Sequence, residues 1–204
     1  MRVVPVPEQD SSWERVDARY RLYTFREGGA TSTHDIVDAT LRDALEAGEI
    51  AGRSGRLWSL ALVVDDSVFG RGLAWLSGMD HNDGASTPAE WRARAEMQDR
   101  YLAAVARTSD PPTLPDGRRV IRLFCDHGVD WPLWESFTAE YTRTPDELGL
   151  SASLRDRLHA WNEDYQRESV GPQWREEGLR LHALLQDEVA SFAEVRPDFG
   201  HPND

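Results

Sequence analysis

The sequence contains no lysine and one cysteine, and both shortages exclude kinds of chemistry. All 23 basic residues among its 204 are arginine, so neither a Schiff-base lysine nor the lysine of a phosphate-binding loop exists. The single thiol, Cys125, cannot form an internal disulfide, which is typical of a reducing compartment. Because Cys125 ends an apolar run, we interpret it as a small buried hydrophobe.

Long apolar runs and familiar catalytic signatures are missing as well. No segment approaches the roughly 20 apolar residues of a membrane span. The first ten residues hold two prolines and two acids, unlike a signal peptide. The sequence has no phosphate-binding or dinucleotide-binding glycine pattern, no G-x-S-x-G elbow, no CxxC pair and no HExxH. We therefore expect a cytoplasmic protein without a cofactor, and most nucleotide-dependent and common hydrolase activities are excluded.

Negative charge dominates the composition. The chain carries 36 acidic residues and a net charge of -13. Such a chain repels the phosphates of nucleic acids and of anionic membranes, so we expect neither as a partner. It attracts a basic protein and accelerates the encounter. The alternative interpretation is that the charge serves solubility alone.

Composition divides the chain into five segments. The first is a possible flexible arm over 1–18, and the second is an N-terminal α+β module over 19–107. A proline-rich connector over 108–118 leads to a strand and helices over 119–196, and a polar tail follows over 197–204. We expect the two modules to share one core, because the chain is short enough for a single domain.

Hydrophobic patterning predicts about four strands and about four helices. The strands are predicted at 19–26, 56–66, 72–80 and 119–125, with the second and third forming a largely buried hairpin. The helices cluster late in the chain. This order predicts the α+β class, with a small, mostly antiparallel sheet and the helices packed on one face.

Capping signals predict where the helices begin. Ser32 with Asp35 resembles a capping box and predicts a helix over 34–47. Thr87 and Glu90 form a second box around a proline at the first helical position. Two later helices are predicted from the residues at their starts, Ser151 or Ser153 for one and Gly171-Pro172 for the other.

Three short motifs in the later part of the chain resemble a recurrent pattern. They are W-P-L-W-E at 131–135, L-G-L-S at 148–151 and L-x-x-W-N at 158–162. Together they make residues 119–166 similar to short actinobacterial proteins of no established activity. The resemblance implies a shared piece of fold and carries no mechanism.

Two Asp-His pairs each follow the end of a predicted strand. If the two strand ends are adjacent, imidazoles and carboxylates converge there and suit Zn²⁺ or a non-haem metal. A histidine oriented by an aspartate could also act as a general base. The catalytic candidates are Asp80, His81, Asp126, His127 and Asp130, and the metal-ligand candidates are His81, His127, Asp83 and Asp130. The alternative is that these residues only form turns, which favour Asp, Asn and Gly.

Eight tryptophans and several acidic clusters suggest where a partner could bind. Four tryptophans fall on predicted inner faces and are expected in the core: Trp75, Trp91, Trp161 and Trp174. Trp131 and Trp134 flank a proline, and they either plug the seam between sheet and helices or form an aromatic platform. The partner-binding candidates are Trp131, Trp134, Glu135, Glu163, Asp164, Glu176 and Glu177.

These features lead to one main hypothesis and two alternatives. The main hypothesis is a cytoplasmic, acidic interaction protein, in its concrete form an inhibitor of the immunity or antitoxin type that blocks a basic partner. The first alternative is a small metal-dependent or acid/base hydrolase built on the two Asp-His turns. The second is a regulatory domain that binds a small ligand around Trp131 and Trp134. The order of the strands and the oligomeric state stay open.

Overall fold

The structure, a computed structural model, describes residues 3–11, 14–168 and 170–199. Parts of the predicted arm (1–2 and 12–13) and of the predicted tail (200–204) lie outside these residues. The strands are β1 Tyr20–Phe25, β2 Thr31–Ile36, β3 Leu57–Asp66, β4 Gly70–Ser77, β5 Arg119–Leu123, β6 Leu133–Trp134 and β7 Ala193–Pro197. The helices are α1 Leu41–Arg53, α2 Pro88–Val105, α3 Ala152–Gln166 and α4 Pro172–Val189. The predicted α+β class is confirmed.

The first sheet has four strands in the order β2-β1-β3-β4, and every neighbouring pair is antiparallel. The hairpin between β3 and β4 turns over three residues. Asp66 stabilises this turn, because its Oδ1 accepts the backbone N–H groups of Val68 and Phe69 at 2.7 Å each. Gly70 closes the turn with a φ of 76°, a left-handed conformation that favours glycine.

Two helices pack on the first sheet through small or flexible residues. In α1, a Cβ at Gly48 would lie 2.5 Å from the ring of Trp58, so glycine is required for this close approach. Ala44 of the same helix is fully buried in the Trp58 cluster. In α2, Met97 packs against Phe25 in a second cluster. Each large apolar side chain buried in these clusters contributes roughly 1.5–3 kcal/mol.

A second sheet of three strands, β6-β5-β7, was not predicted. β5 pairs antiparallel with β6 and parallel with β7, so that Ile121 lies opposite Val195. Helices α3 and α4 cover this sheet with leucines, of which Leu158 and Leu181 are fully buried. Among the described residues this is the largest apolar cluster, and it explains why α3 and α4 carry leucine at helical spacing.

Trp161 of α3 and Trp174 of α4 lock the two helices together. Their rings stack with centroids 4.5 Å apart, and each indole N–H donates to the other residue's carbonyl oxygen at 2.9 and 3.0 Å. Gly178 allows the contact, since a Cβ there would lie 2.7 Å from Trp161. Trp161 is buried and Trp174 is half-buried, which fits the expected core positions of both residues.

The predicted helix over 34–47 is wrong at its start. Thr31–Ile36 is strand β2, paired along its length with β1. Asp35 cannot cap a helix, because its carboxylate accepts hydrogen bonds from Arg21 of β1 and from Arg19, which immediately precedes that strand. A second capping box eight residues along the chain begins the helix instead, and in it Thr40 and Asp43 bond to each other's backbone N–H.

The predicted hairpin has the expected position, but β4 is not buried. Every residue from Gly70 to Leu76 is exposed, and Trp75, which was expected in the core, is 38% exposed. β4 is exposed because it is the last strand of its sheet and makes few contacts with α2, so its unpaired edge faces solvent.

A buried polar cluster joins α2 to β7. Arg94 donates from Nε and Nη2 to the two carboxylate oxygens of Glu194 at 2.7 and 2.8 Å, and Gln98 donates to Glu194 at 2.6 Å. Arg196, also of β7, pairs with Asp99 at 2.8 Å. These contacts connect the regions on either side of the connector, and the division at 108–118 stays a prediction.

Candidate functional site

The first Asp-His turn is held by its own side chains. Asp80 accepts the backbone N–H of Asn82 at 3.0 Å, an arrangement typical of turns. The Asn82 side chain donates to Thr31 of β2 at 2.8 Å and ties the turn to the sheet. Asp80 and Asn82 therefore have structural partners, and the Asp83 side chain is exposed.

His81 in this turn is half-buried beside Phe25, with ring centroids 5.8 Å apart. Burial and, next, the charge of Arg94 lower its pKa from 6.5 to about 4. Its Nδ1 is buried and has no hydrogen-bond partner among the described residues. The imidazole is therefore neutral near pH 7.

A small cleft of about 270 Å³ lies beside His81 at the junction of α2, β3 and the connector. Of the three arginines that line this cleft, Arg94 already has partners within the chain. Besides binding Glu194, Arg94 donates through Nη1 to the carbonyl oxygens of His81 at 2.7 Å and Asp83 at 3.2 Å. Arg94 thus has partners on all three guanidinium nitrogens, and it clamps the turn instead of facing a ligand.

The second Asp-His turn packs on α3. Asp126 accepts the backbone N–H of His127 at 2.8 Å, and the His127 ring lies 4.9 Å from that of Tyr165. Gln166 bonds to both sides of the turn, donating to the Asp126 carbonyl oxygen at 2.8 Å. The side chains of His127 and Asp130 are exposed.

The two turns do not form one site. His81 lies against the first sheet, and His127 lies against α3 of the second. Across residues 3–11, 14–168 and 170–199, no three His, Cys, Asp or Glu side chains are grouped so that they could hold a metal ion. The structure therefore does not assemble the predicted metal-ligand candidates His81, His127, Asp83 and Asp130.

Cys125 is buried, as its place at the end of an apolar run predicts. Burial raises the pKa of its thiol, because a thiolate is poorly solvated there. The side chain packs in the core formed by the second sheet with α3 and α4. A structural role follows, since the thiol stays protonated near neutral pH.

The surroundings of the two tryptophans around Pro132 favour a structural role over an aromatic platform for a partner. Trp134 is buried, stacks on Phe124 with centroids 4.6 Å apart, and donates its indole N–H to the Phe124 carbonyl oxygen at 2.8 Å. Trp131 is half-buried, with its ring edge-on to that of His159. Of the two, Trp131 keeps surface that a partner could contact.

Glu135 was a partner-binding candidate, but its side chain is 2% exposed. It lies between Arg119 and Arg143, and the Arg143 Nε donates to it at 2.6 Å. Burial alone would raise its pKa; the hydrogen bonds from the two arginines outweigh burial and lower it. Glu135 therefore stabilises β5 and the segment after β6 as a carboxylate, and it is not available to a partner.

The acidic candidates on α3 and α4 are paired within the chain. The pairs are Glu163 and Asp164 with Arg167, Glu176 with Arg180, and Glu177 with Arg157 and Arg180. Two of these pairs are four residues apart and two are three apart, spacings at which such pairs form readily on a helix. The arginines neutralise much of the negative charge that the sequence places on this surface.

A larger concave surface, which we call the acidic groove, includes no residue of the two Asp-His turns. It has a volume of about 990 Å³ and is bounded by residues 14–19, by the turn at 37–43 and by the end of β3 at 62–65. Two arginines, Arg15 and Arg19, line it. Its five carboxylates belong to Glu14, Asp17, Asp38, Asp43 and Asp65.

Two carboxylates of the acidic groove, those of Glu14 and Asp38, have no ion pair or hydrogen bond within the described part of the chain. The other three are partnered, Asp17 with Arg15, Asp65 with Arg71 and Asp43 with the backbone at Thr40. Asp38 has a φ of 54°, a left-handed conformation that is uncommon outside glycine. This conformation shapes the turn at 37–43 that lines the acidic groove. Exposed Val16 and Val37 stand beside the free acids.

The sequence did not identify the acidic groove, because its walls come from three separate segments. A repeated Val-Asp-Ala tripeptide, at 16–18 and 37–39, is the sequence signal that marks two of them. The first copy falls in the predicted arm and the second in the predicted helix over 34–47. Neither prediction suggested that the two copies lie on one surface.

Comparison of the chain with protein-family models, with curated proteins and with solved structures finds no significant match. The resemblance of residues 119–166 to short actinobacterial proteins therefore stays a prediction. None of the helices within the described residues has the length and apolar character to cross a bilayer.

Proposed function

We propose that the chain is a protein-interaction protein that holds a basic segment of its partner in the acidic groove. The observation that carries the proposal is the pair of unneutralised carboxylates, Glu14 and Asp38, next to exposed Val16 and Val37. In its concrete form the protein is a cytoplasmic inhibitor of the immunity or antitoxin type, covering a basic surface of a toxin.

The chemistry of arginine and lysine suits this groove. Their charged ends pair with free carboxylates, and arginine does so with two parallel hydrogen bonds. Their aliphatic stems cover apolar side chains such as Val16 and Val37. The net charge of -13 adds long-range attraction, which raises the association rate and makes it sensitive to salt.

The other hypotheses have less support in the geometry. A hydrolase needs the two Asp-His turns in one place, and they pack on different sheets. A small-ligand site around Trp131 and Trp134 would need both rings accessible, and Trp134 is buried. On α3 and α4, arginines already occupy the acidic candidates. In the acidic groove, Glu14 and Asp38 keep a negative charge that no residue within 3–11, 14–168 and 170–199 neutralises.

A labelled peptide of alternating arginine and valine provides the test. We expect the double variant Glu14→Gln/Asp38→Asn to bind it about tenfold more weakly, because two exposed ion pairs of about 0.5–1 kcal/mol each are lost. Fluorescence anisotropy at two salt concentrations measures both the affinity and its salt dependence.

The matched control is Glu163→Gln/Glu176→Gln, which removes the same charge from α3 and α4. It should change the affinity by less than about twofold, since those acids already pair with arginines. Equal losses in the two double variants would mean that only net charge matters, and the proposed groove would be wrong.

A further inference from the structure

The two edges of the first sheet have opposite character. β2, with the sequence TSTHDI, ends the sheet on one side with polar and charged residues, which discourage further strand pairing. β4 ends it on the other side. Its residues Leu73, Trp75 and Leu76 are 37%, 38% and 43% exposed, and the described residues supply no strand beyond it. An exposed apolar edge of this kind is a site for adding a strand.

The part of β4 that can accept a new strand is short and well defined. Gly70 begins the strand in a left-handed conformation at the end of the turn. At the other end, Ala61 pairs with Trp75 and Leu60 with Ser77, so a bulge interrupts the ladder after Trp75. Regular extended backbone therefore runs from Arg71 to Trp75, and its middle residue is Leu73.

We propose that a second copy of this chain occupies this edge, with the two β4 strands antiparallel and a two-fold axis at Leu73. In that register Leu73 lies opposite Leu73 of the second copy. Arg71 lies opposite Trp75 of the second copy on the same face, because both are two residues from the axis. The contact is self-complementary, as a two-fold interface requires.

Side-chain chemistry supports this register on both faces of the extended sheet. On one face, each Arg71 guanidinium meets a Trp75 ring, a favourable cation–π arrangement. The chain already uses such contacts, with Arg100 4.1 Å from the ring centre of Trp58. On the other face, Gly72 and Ala74 lie opposite each other across the copies, and their small side chains leave the strands free to approach.

A second copy fits this edge better than the basic partner of the acidic groove. Arg71 is the charged residue of β4, and the proposed register places each Arg71 opposite Trp75 and away from the other Arg71, whereas a strand rich in basic residues would bring like charges together. Asp65 of β3 holds the Arg71 guanidinium at 2.7 Å and so keeps it on the same face of the sheet as Trp75. Asp65 also lines the acidic groove, but Glu14 and Asp38 take no part in the proposed dimer, so either proposal can fail without the other.

A cysteine placed on the proposed axis tests the register directly. In a Cys125→Ser background, Leu73→Cys puts two thiols opposite each other with Cα atoms about 4.5–5.5 Å apart, within the range that a disulfide spans. We expect mild oxidation with copper phenanthroline to convert most of the protein to a species of twice 23.1 kDa on a non-reducing gel.

The matched control is Phe69→Cys in the same background. Phe69 is 91% exposed at the hairpin tip, and two copies of it would lie roughly 27 Å apart across the axis, at about 3.4 Å per residue. It should form at least tenfold less crosslinked dimer. Equal crosslinking at positions 69 and 73 would overturn the proposed register.

Analytical ultracentrifugation of the unmodified chain tests the dimer without any substitution. We expect a concentration-dependent dimer that Leu73→Lys abolishes while circular dichroism stays unchanged, and that Glu14→Gln/Asp38→Asn leaves intact. A chain that remains monomeric at several hundred micromolar would overturn the proposal. A monomer whose β4 pairs with an added peptide would assign the edge to another protein and would overturn it equally.

Discussion

At the scale of single residues, His81 and Glu194, at the junction around Arg94, both have lowered pKa values, but the shift leaves the histidine neutral and the glutamate charged. Burial disfavours the charged imidazole and, with the charge of Arg94, brings its pKa to about 4. Burial would raise the pKa of Glu194, but hydrogen bonds from Arg94 and Gln98 lower it instead. Near neutral pH the junction thus contains a neutral histidine and an ionised glutamate.

Acidification should therefore destabilise the protein through His81 before the carboxylates titrate. The unfolded imidazole binds a proton below about pH 6.5 and the folded one below about pH 4, so stability falls as pH decreases between these values. From pH 7 to pH 5 we expect a loss of about 2 kcal/mol in the free energy of unfolding from this residue. Urea denaturation at both pH values measures it.

The variant His81→Gln should show a smaller loss between pH 7 and pH 5, and the control His34→Gln, on exposed β2, should behave like the natural chain. Some pH dependence will remain, because burial also lowers the pKa of His182. Glu135 and Glu194 have lowered pKa values, so their contributions disappear only below the ordinary value near 4.5. Identical pH dependence in both histidine variants would contradict the assignment.

Single residues were predictable where the local sequence determines the environment. Cys125 ends an apolar run, and its burial followed from that run alone. Glu135 follows an aromatic motif and looks like a surface acid in the sequence. In the structure its side chain is buried and forms ion pairs with Arg119 and Arg143. Arg119 lies 16 residues before Glu135 and Arg143 lies 8 residues after it, on either side of β6, so no helical or strand periodicity indicates the pairing.

At the scale of elements, the start of α1 shows how tertiary contacts choose between two similar signals. Ser32 with Asp35 and Thr40 with Asp43 are both possible capping boxes. The first lies in β2, where Asp35 binds Arg19 and Arg21, and only the second caps a helix. Local sequence supplied both candidates, and strand pairing decided between them.

Substitution at the two capping positions should separate them by stability. Thr40→Ala is expected to lower the free energy of unfolding by about 1 kcal/mol, because the Asp43 N–H loses its side-chain acceptor. Ser32→Ala should stay within about 0.5 kcal/mol, as expected for a residue that caps nothing. Denaturant titration of the two variants measures the difference. A larger loss at Ser32 would contradict the observed helix start.

Strand β7 escaped prediction for a related reason. Its sequence, AEVRP, places Glu194 and Arg196 at buried positions, where a sequence-based argument expects apolar residues. Each is buried because α2 supplies its partner, Arg94 for the glutamate and Asp99 for the arginine. Without knowledge of α2, a charged strand of five residues is indistinguishable from a tail.

At the scale of the whole molecule, the Arg94–Glu194 pair connects α2 with β7 across 100 residues of sequence. Removing one partner leaves a buried charge unpaired, so Arg94→Met should cost about 3–5 kcal/mol. The double variant Arg94→Met/Glu194→Met should be less destabilised, since neither charge remains. Chemical denaturation of the two variants and of Glu194→Met forms a double-mutant cycle; additive losses would show that the pair does not couple α2 to β7.

The class of the fold was predictable from composition and periodicity, but its organisation was not. The helices α2, α3 and α4 follow their capping and leucine patterns closely. The second sheet depends on a parallel pairing between β5 and β7, and the acidic groove depends on three separated segments. Both require contacts between residues far apart in sequence, which local patterns do not encode.

The unequal edges of the first sheet also limit how far an assembly could grow. If β4 joins β4 of a second copy, each protomer presents only its polar β2 strand at the ends of the combined ribbon of eight strands. A third protomer would find no apolar edge to extend. The unpaired β4 edge would then give a dimer with no further apolar edge in its combined sheet, instead of an open filament.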